Sequence, residues 1–82
     1  MRLISQNGMY DVPYELCTIR IDEMPINVFI EALLVSGSCI TLGKYSTKKK
    51  ALDVMEEIRN EYVNCEFSWY QLPKDEEVTC MD

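Results

Sequence analysis

Histidine is absent from this chain, which removes the commonest general base and one of the commonest metal ligands together. The 4 cysteines, Cys17, Cys39, Cys65 and Cys80, form no CxxC pair and are separated by wide, irregular gaps. Their spacing therefore encodes neither a zinc site nor a disulfide framework. They read as reduced thiols, with Cys17, Cys39 and Cys65 as small packing residues and Cys80 in the tail. No apolar run approaches the ~20 residues that cross a bilayer. The longest, Val28 to Val35, is interrupted by Glu31 and has the length of a buried strand. Basic residues are also few, 8 against 14 acidic ones, for a net charge of −6. Without a broad basic field, general nucleic-acid binding is not expected. The opening MRLISQNG lacks the apolar block of a signal peptide, so a cytoplasmic protein is expected, with no membrane association.

What is present is the composition of an ordinary folded domain, 48% hydrophobic and 27% charged. A chain of 82 residues has room for one domain, read here as 1–82 with a short acidic tail from about Pro73. Such a domain buries only about 60–65% of its unfolded surface, so its core is modest. No repeat, linker or low-complexity segment interrupts it.

The first half reads as strands. Arg2 to Ser5 and Met9 to Pro13 flank Asn7-Gly8, a pair that supplies the positive φ angles of a tight hairpin turn. From Leu16 to Asp22 the pattern alternates, with Cys17, Ile19 and Ile21 on one face and Thr18, Arg20 and Asp22 on the other. Asn27 to Leu34, rich in β-branched and aromatic residues, is predicted as a strand. Ser36-Gly37-Ser38 turns it into a partner over Cys39 to Tyr45, with Ile40 and Leu42 inward.

The second half opens with a helix. Ser46 is the predicted N-cap, and Ala51, Leu52, Met55, Ile58 and Tyr62 form the predicted apolar stripe. Asp53, Glu56, Glu57 and Glu61 make an acidic ridge on the other side. Asn60 to Asn64 offers the stop, and Glu66 to Leu72 is predicted as a last strand ended by Pro73. The expected fold is α+β: a small antiparallel sheet of four to five strands with one amphipathic helix on one face.

The start of that helix is unusual. Lys44, Lys48, Lys49 and Lys50 are half of the chain's 8 basic residues, and three of them stand where the macrodipole disfavours cations. With the Ser46 and Thr47 hydroxyls and free N–H groups, this cluster could hold a phosphate, nucleotide or other anion. The same lysines can equally be solvated side chains, each costing only about 0.3–1 kcal/mol there. Aromatic residues offer a second candidate surface. Tyr10, Tyr14, Phe67, Trp69, Tyr70 and Leu72 fall in the first hairpin and the last strand, where small sheets meet partners. Alternation puts Phe67 and Trp69 on one face of that strand and Tyr70 and Leu72 on the other, which points to cover on both faces and to a homo-oligomer. Catalysis has little to build on: Asp11 and Glu15 flank Tyr14, but a capped turn explains them as well.

Three blocks, MRLISQNGMYDVPYE, YSTKKKALDVMEEIRNEY and WYQLPKDEEV, together resemble a group of small uncharacterised proteins of Firmicutes and their prophages. Members of that group open on ISQxGxxDVPYE, continue to YSTxxKAxxVMxxIRxxY, and end on an aromatic-proline-acidic tail. The resemblance spans nearly the whole chain and implies a phage or mobile-element setting with no activity to carry over. Where such proteins tend to have acids after YST, this chain has Lys48 and Lys49. The expected function is a non-catalytic interaction protein that engages a host or phage protein without a cofactor. The alternative is a small module binding an anion at Ser46–Lys50.

The reading of the thiols has a direct test. Chelators and mild reductants are expected to leave the melting temperature unchanged, and a drop of several degrees with either in a thermal melt would reveal a metal or a disulfide.

Overall fold

Among the described residues, alternating apolar positions and the turns between them set six strands and one helix. The computed structural model describes residues 1–64 and 68–78. In order these are β1 (Arg2–Ile4), β2 (Asp11–Pro13), a 3-10 turn (Tyr14–Leu16), β3 (Cys17–Glu23), β4 (Val28–Leu34), β5 (Cys39–Tyr45), α1 (Lys48–Asn64), β6 (Trp69–Gln71) and a second 3-10 turn (Asp75–Glu77). The α+β class is as expected, but the strands divide into two three-stranded sheets, ordered β2-β1-β6 and β3-β4-β5. Nor are they all antiparallel, because β6 runs parallel to β1, pairing Arg2 with Trp69 and Ile4 with Gln71. A parallel partner must arrive by a crossover, and α1 provides it.

The split has a local cause. β2 ends at Pro13, which cannot donate to a ladder, and the 3-10 turn follows at once. β3 therefore starts a new sheet instead of extending the first. Its meander is the one the alternation predicted: Cys17 faces Leu34, Ile19 faces Ala32 and Ile21 faces Ile30. The Asn7-Gly8 turn is wider than a two-residue hairpin. Gly8 adopts φ 75 and donates to the Ser5 carbonyl at 2.9 Å. The buried Ser5 hydroxyl donates to the Asn7 side chain at 2.6 Å and accepts from the Tyr10 N–H at 3.0 Å.

Both sheets share one core. Leu3 and Val12 from the first sheet meet Val28, Ile30 and Ala32 from the second, under Ala51, Val54 and Ile58 of α1. Full burial of a side chain such as Leu3 or Ile30 is worth about 1.5–3 kcal/mol. The helix is rotated from the predicted stripe. Val54 is buried, whereas Leu52 is 48% and Tyr62 41% exposed. At the edge of the helix Tyr70 donates to the Glu57 carboxylate at 2.8 Å, while Asp53, Glu56 and Glu57 stay exposed. Cys39, read as a packing residue, is exposed, because its register opposite Leu33 puts it on the sheet face away from the helix. Cys17 is half-buried and its thiol donates to the Pro13 carbonyl at 3.1 Å. Cys65 and Cys80 lie outside the described residues.

Gln6 joins the two sheets. β5 bulges at Leu42, since Ile30 pairs with Gly43 while Glu31 pairs with Thr41. The Leu42 carbonyl accepts from the Gln6 N–H at 2.6 Å. The Gln6 side chain accepts from the Lys44 N–H at 3.1 Å and donates to the carbonyls of Lys44 at 3.2 Å and Pro73 at 3.0 Å. Tyr45, fully buried, donates its hydroxyl to the same Pro73 carbonyl at 2.7 Å. Its ring folds back over Gly43, where an added Cβ would stand 2.9 Å from the Tyr45 ring and 3.2 Å from Leu72. Gly43→Ala is accordingly expected to destabilise by about 1–3 kcal/mol through overpacking. Urea unfolding checks this, and an unchanged midpoint would show that the ring gives way freely.

Candidate functional site

The lysine-rich helix start was the sharpest chemical feature of the sequence, and its geometry answers the conflict with the macrodipole. The N-cap is Thr47, one residue later than predicted: its hydroxyl accepts from the Lys50 N–H at 3.2 Å and its carbonyl from the Ala51 N–H at 3.3 Å. Ser46 is turned to another purpose. Its N–H donates to Asp75 Oδ1 at 2.8 Å, and its hydroxyl donates to the same oxygen at 3.1 Å. Lys50 Nζ reaches the Asp75 carbonyl at 3.2 Å and its carboxylate at 3.5 Å. The first turn of α1 carries no acid of its own. Asp75, 25 residues beyond Lys50, brings one there.

An anion is therefore held at the helix start, and it belongs to the chain itself. The Ser46 N–H is the first cause that holds the Asp75 carboxyl below its usual value, with the Ser46 hydroxyl and the Lys50 charge acting in the same direction. The remaining candidate lysines diverge. Lys48 Nζ lies 3.6 Å from Glu23 Oε2 at the end of β3. Lys49 is exposed and engaged within the chain. Lys44 lines an open cleft with Gln6, Asn7 and Lys74, where Asp75 and Glu76 balance the two cations. The acidic run is not a free tail, for Leu72 is buried, Pro73 is anchored by Gln6 and Tyr45, and Glu77 accepts from the Lys74 N–H at 2.9 Å.

The aromatic set also divides. Leu72 is 2% exposed and belongs to the core. Tyr14 packs its ring against Tyr62, centroids 4.9 Å apart at 53°. Tyr70 is half-buried, and burial together with Glu57 pushes its phenol well above the ordinary range. Trp69, 54% exposed, and Tyr10, 48% exposed, reach the surface. Phe67 lies outside the described residues, so only Trp69 remains to show the outer face of the last strand. In register, Trp69 stands beside Arg2, whose other neighbour is Pro13. Arg2 donates to the Asp11 carboxylate at 2.8 Å, while Glu15 pairs with the N-terminal ammonium of Met1. The two acids flanking Tyr14 thus hold separate partners and form no pair with each other. Among the described residues no cluster of carboxylates and thiols is grouped to hold a metal ion.

Sequence reasoning missed Gln6 and Asp75. Charge bookkeeping pointed to the second: a helix start with three lysines and no acid needs an acid from elsewhere, and Asp75 to Glu77 is the chain's densest acidic run. Comparison with protein-family models, with curated proteins and with solved structures found no match to any of the three. None of the described helices is long and apolar enough to cross a membrane.

Asp75 yields a signed pH prediction. A carboxyl whose folded pKa is depressed stabilises the fold above its unfolded pKa of about 4, and that contribution fades as pH falls through the folded value. Asp75→Ala should therefore cost on the order of 1–2 kcal/mol at neutral pH, discounted for partial exposure. The difference from wild type should shrink below about pH 4. Urea midpoints across acid pH check it, and a difference constant with pH would mean that the charge is not what Asp75 contributes.

Proposed function

We propose that this protein is a non-catalytic interaction protein of prophage or mobile-element type, which engages a host or phage protein through the outer face of the β2-β1-β6 sheet. The observation that carries the reading is Trp69, held on a hydrogen-bonded strand yet 54% exposed. A large aromatic presented by a rigid strand is the kind of group that anchors protein interfaces. Arg2 and Asp11 beside it provide a polar rim, and the acidic composition favours a partner with a basic surface. The sequence resemblance to proteins of Firmicutes prophages supports the setting. Asp75, seated on Ser46 and Lys50, supports this reading over binding of an external anion at the helix start.

Affinity capture from host lysate tests it by comparing wild type with Trp69→Ala. The expected result is one protein retained stoichiometrically by wild type and lost at least about tenfold with Trp69→Ala, the effect of removing a single interface anchor. Equal retention by both would overturn the surface. A rise in melting temperature with phosphate or nucleotides, lost on Lys48→Glu, would replace protein engagement with the anion reading.

A further inference from the structure

β3 ends its sheet with an open edge. It pairs with β4 alone, and among the described residues no backbone hydrogen bond joins its other side to any element. Seven residues is a long edge to leave unpaired, and such edges invite another strand unless something prevents it. The charges on β3 do not forbid pairing; they select among registers. For two identical strands related by a two-fold axis, the paired residues must lie on the same face, so the axis passes through a residue. An axis through Arg20 sets Arg20 against Arg20, and one through Asp22 sets Asp22 against Asp22. An axis through Ile19 pairs Arg20 with Thr18 and leaves Asp22 beyond the joint. An axis through Ile21 instead pairs Arg20 of each copy with Asp22 of the other, twice, with Ile21 meeting Ile21 at the centre.

We infer that this chain forms a two-fold dimer by antiparallel pairing of β3 with β3 of a second copy, centred on Ile21, joining two three-stranded sheets into one of six strands. Two further observations meet in this register. Exposed apolar residues flank the strand, Leu16 at one end, 64% exposed, and Ile26 at the other, 85% exposed, and the axis through Ile21 brings Leu16 of each copy opposite Ile26 of the other. The axis also stands perpendicular to the sheet, so both helices lie on one face of the joined sheet. The side of α1 nearest β3 is apolar and only partly covered: Met55 lines a cavity of about 140 Å³ with Ile19 and Tyr14, and Tyr62 packs at a tilt against Tyr14. Leu52 and Tyr62, predicted as core and found exposed, are what a second helix covers. On that face Ile19 is opposite Glu23 of the second copy, and Arg59 lines the cavity beside Ile19, another pairing of opposite charge. The dimer is independent of whether Trp69 engages a further protein.

Charge exchange tests the register. Arg20→Glu is built together with Glu31→Arg, so that the internal pair between these residues, 3.2 Å in the native chain, is kept with its signs exchanged. Asp22→Lys is the second variant. Each alone sets like charges across the joint twice; mixed one to one, they restore opposite charges at both positions. Light scattering at micromolar concentration should find wild type dimeric and each variant shifted toward monomer, with the dissociation constant raised about tenfold or more. The mixture should return to dimer, with circular dichroism unchanged throughout. A monomeric wild type overturns the proposal. So does a dimer indifferent to both variants, or one that the mixture fails to restore, since its joint then lies elsewhere.

Discussion

The structure depends on one side chain amide. Two three-stranded sheets this small have little stability of their own, and only a shared core and a fixed joint make them one domain. Gln6 is that joint. Its backbone N–H takes the carbonyl freed by the bulge at Leu42, and its side chain satisfies both backbone groups of Lys44 and the carbonyl of Pro73. A glutamine is the right length and carries both donors and an acceptor, whereas an acid would place a charge among carbonyls and an apolar residue would leave them unpaired. The bulge, Gly43 and the Tyr45 ring are arranged around it. The missing Cβ at Gly43 lets the Tyr45 ring fold back, and that ring delivers a hydroxyl to the Pro73 carbonyl that Gln6 also holds.

That joint explains which parts of the fold were legible in the sequence. The meander of β3, β4 and β5 was readable because each strand shows its own alternation and each turn its own chemistry, down to Cys17, Ile19 and Ile21 sharing a face. Pairing of β6 with β1 was not readable, because a parallel partner nearly seventy positions away leaves no local mark and depends on where α1 crosses. The division into two sheets was hidden for a related reason: Pro13 announces an end, but not that the next strand begins elsewhere. The helix was legible in existence and extent and misread in rotation. Val54 and Leu52 are equally apolar, and the choice between them is tertiary, since Val54 joins Ile30 and Leu42 in the core.

The helix start shows the same limit at closer range. Ser46 and Thr47 are adjacent hydroxyl residues, and capping chemistry alone does not choose between them. The choice is tertiary, because Asp75 recruits both donors of Ser46 and leaves Thr47 to cap. Three lysines at a helix N-terminus looked like a site for an external anion. Lys50 is instead half of an internal arrangement whose other half, Asp75, follows the last strand, while Lys48 turns to Glu23. Lys50 is 22% exposed and Asp75 37%, enough shelter for the contact to matter more than a surface pair and too little for it to need perfect geometry.

A single helix can cover only one face of each sheet, and the chain treats its two uncovered faces differently. On the β3-β4-β5 sheet, the middle row of the outer face is Arg20, Glu31 and Thr41, with the ion pair spanning two strands at 3.2 Å. Half-buried Phe29 and Leu33 flank it along β4, so apolar bulk on the central strand is divided by charge and leaves no continuous patch. On the β2-β1-β6 sheet the corresponding row is Pro13, Arg2 and Trp69, where the aromatic stands at the edge with its side chain in solvent. Each outer face carries its own cross-strand ion pair, Arg20–Glu31 on one and Arg2–Asp11 on the other, and the second also presents its largest side chain outward. An ion pair therefore serves both faces, and what separates them is the exposed aromatic at the edge of the second, on which the proposed engagement of a partner rests.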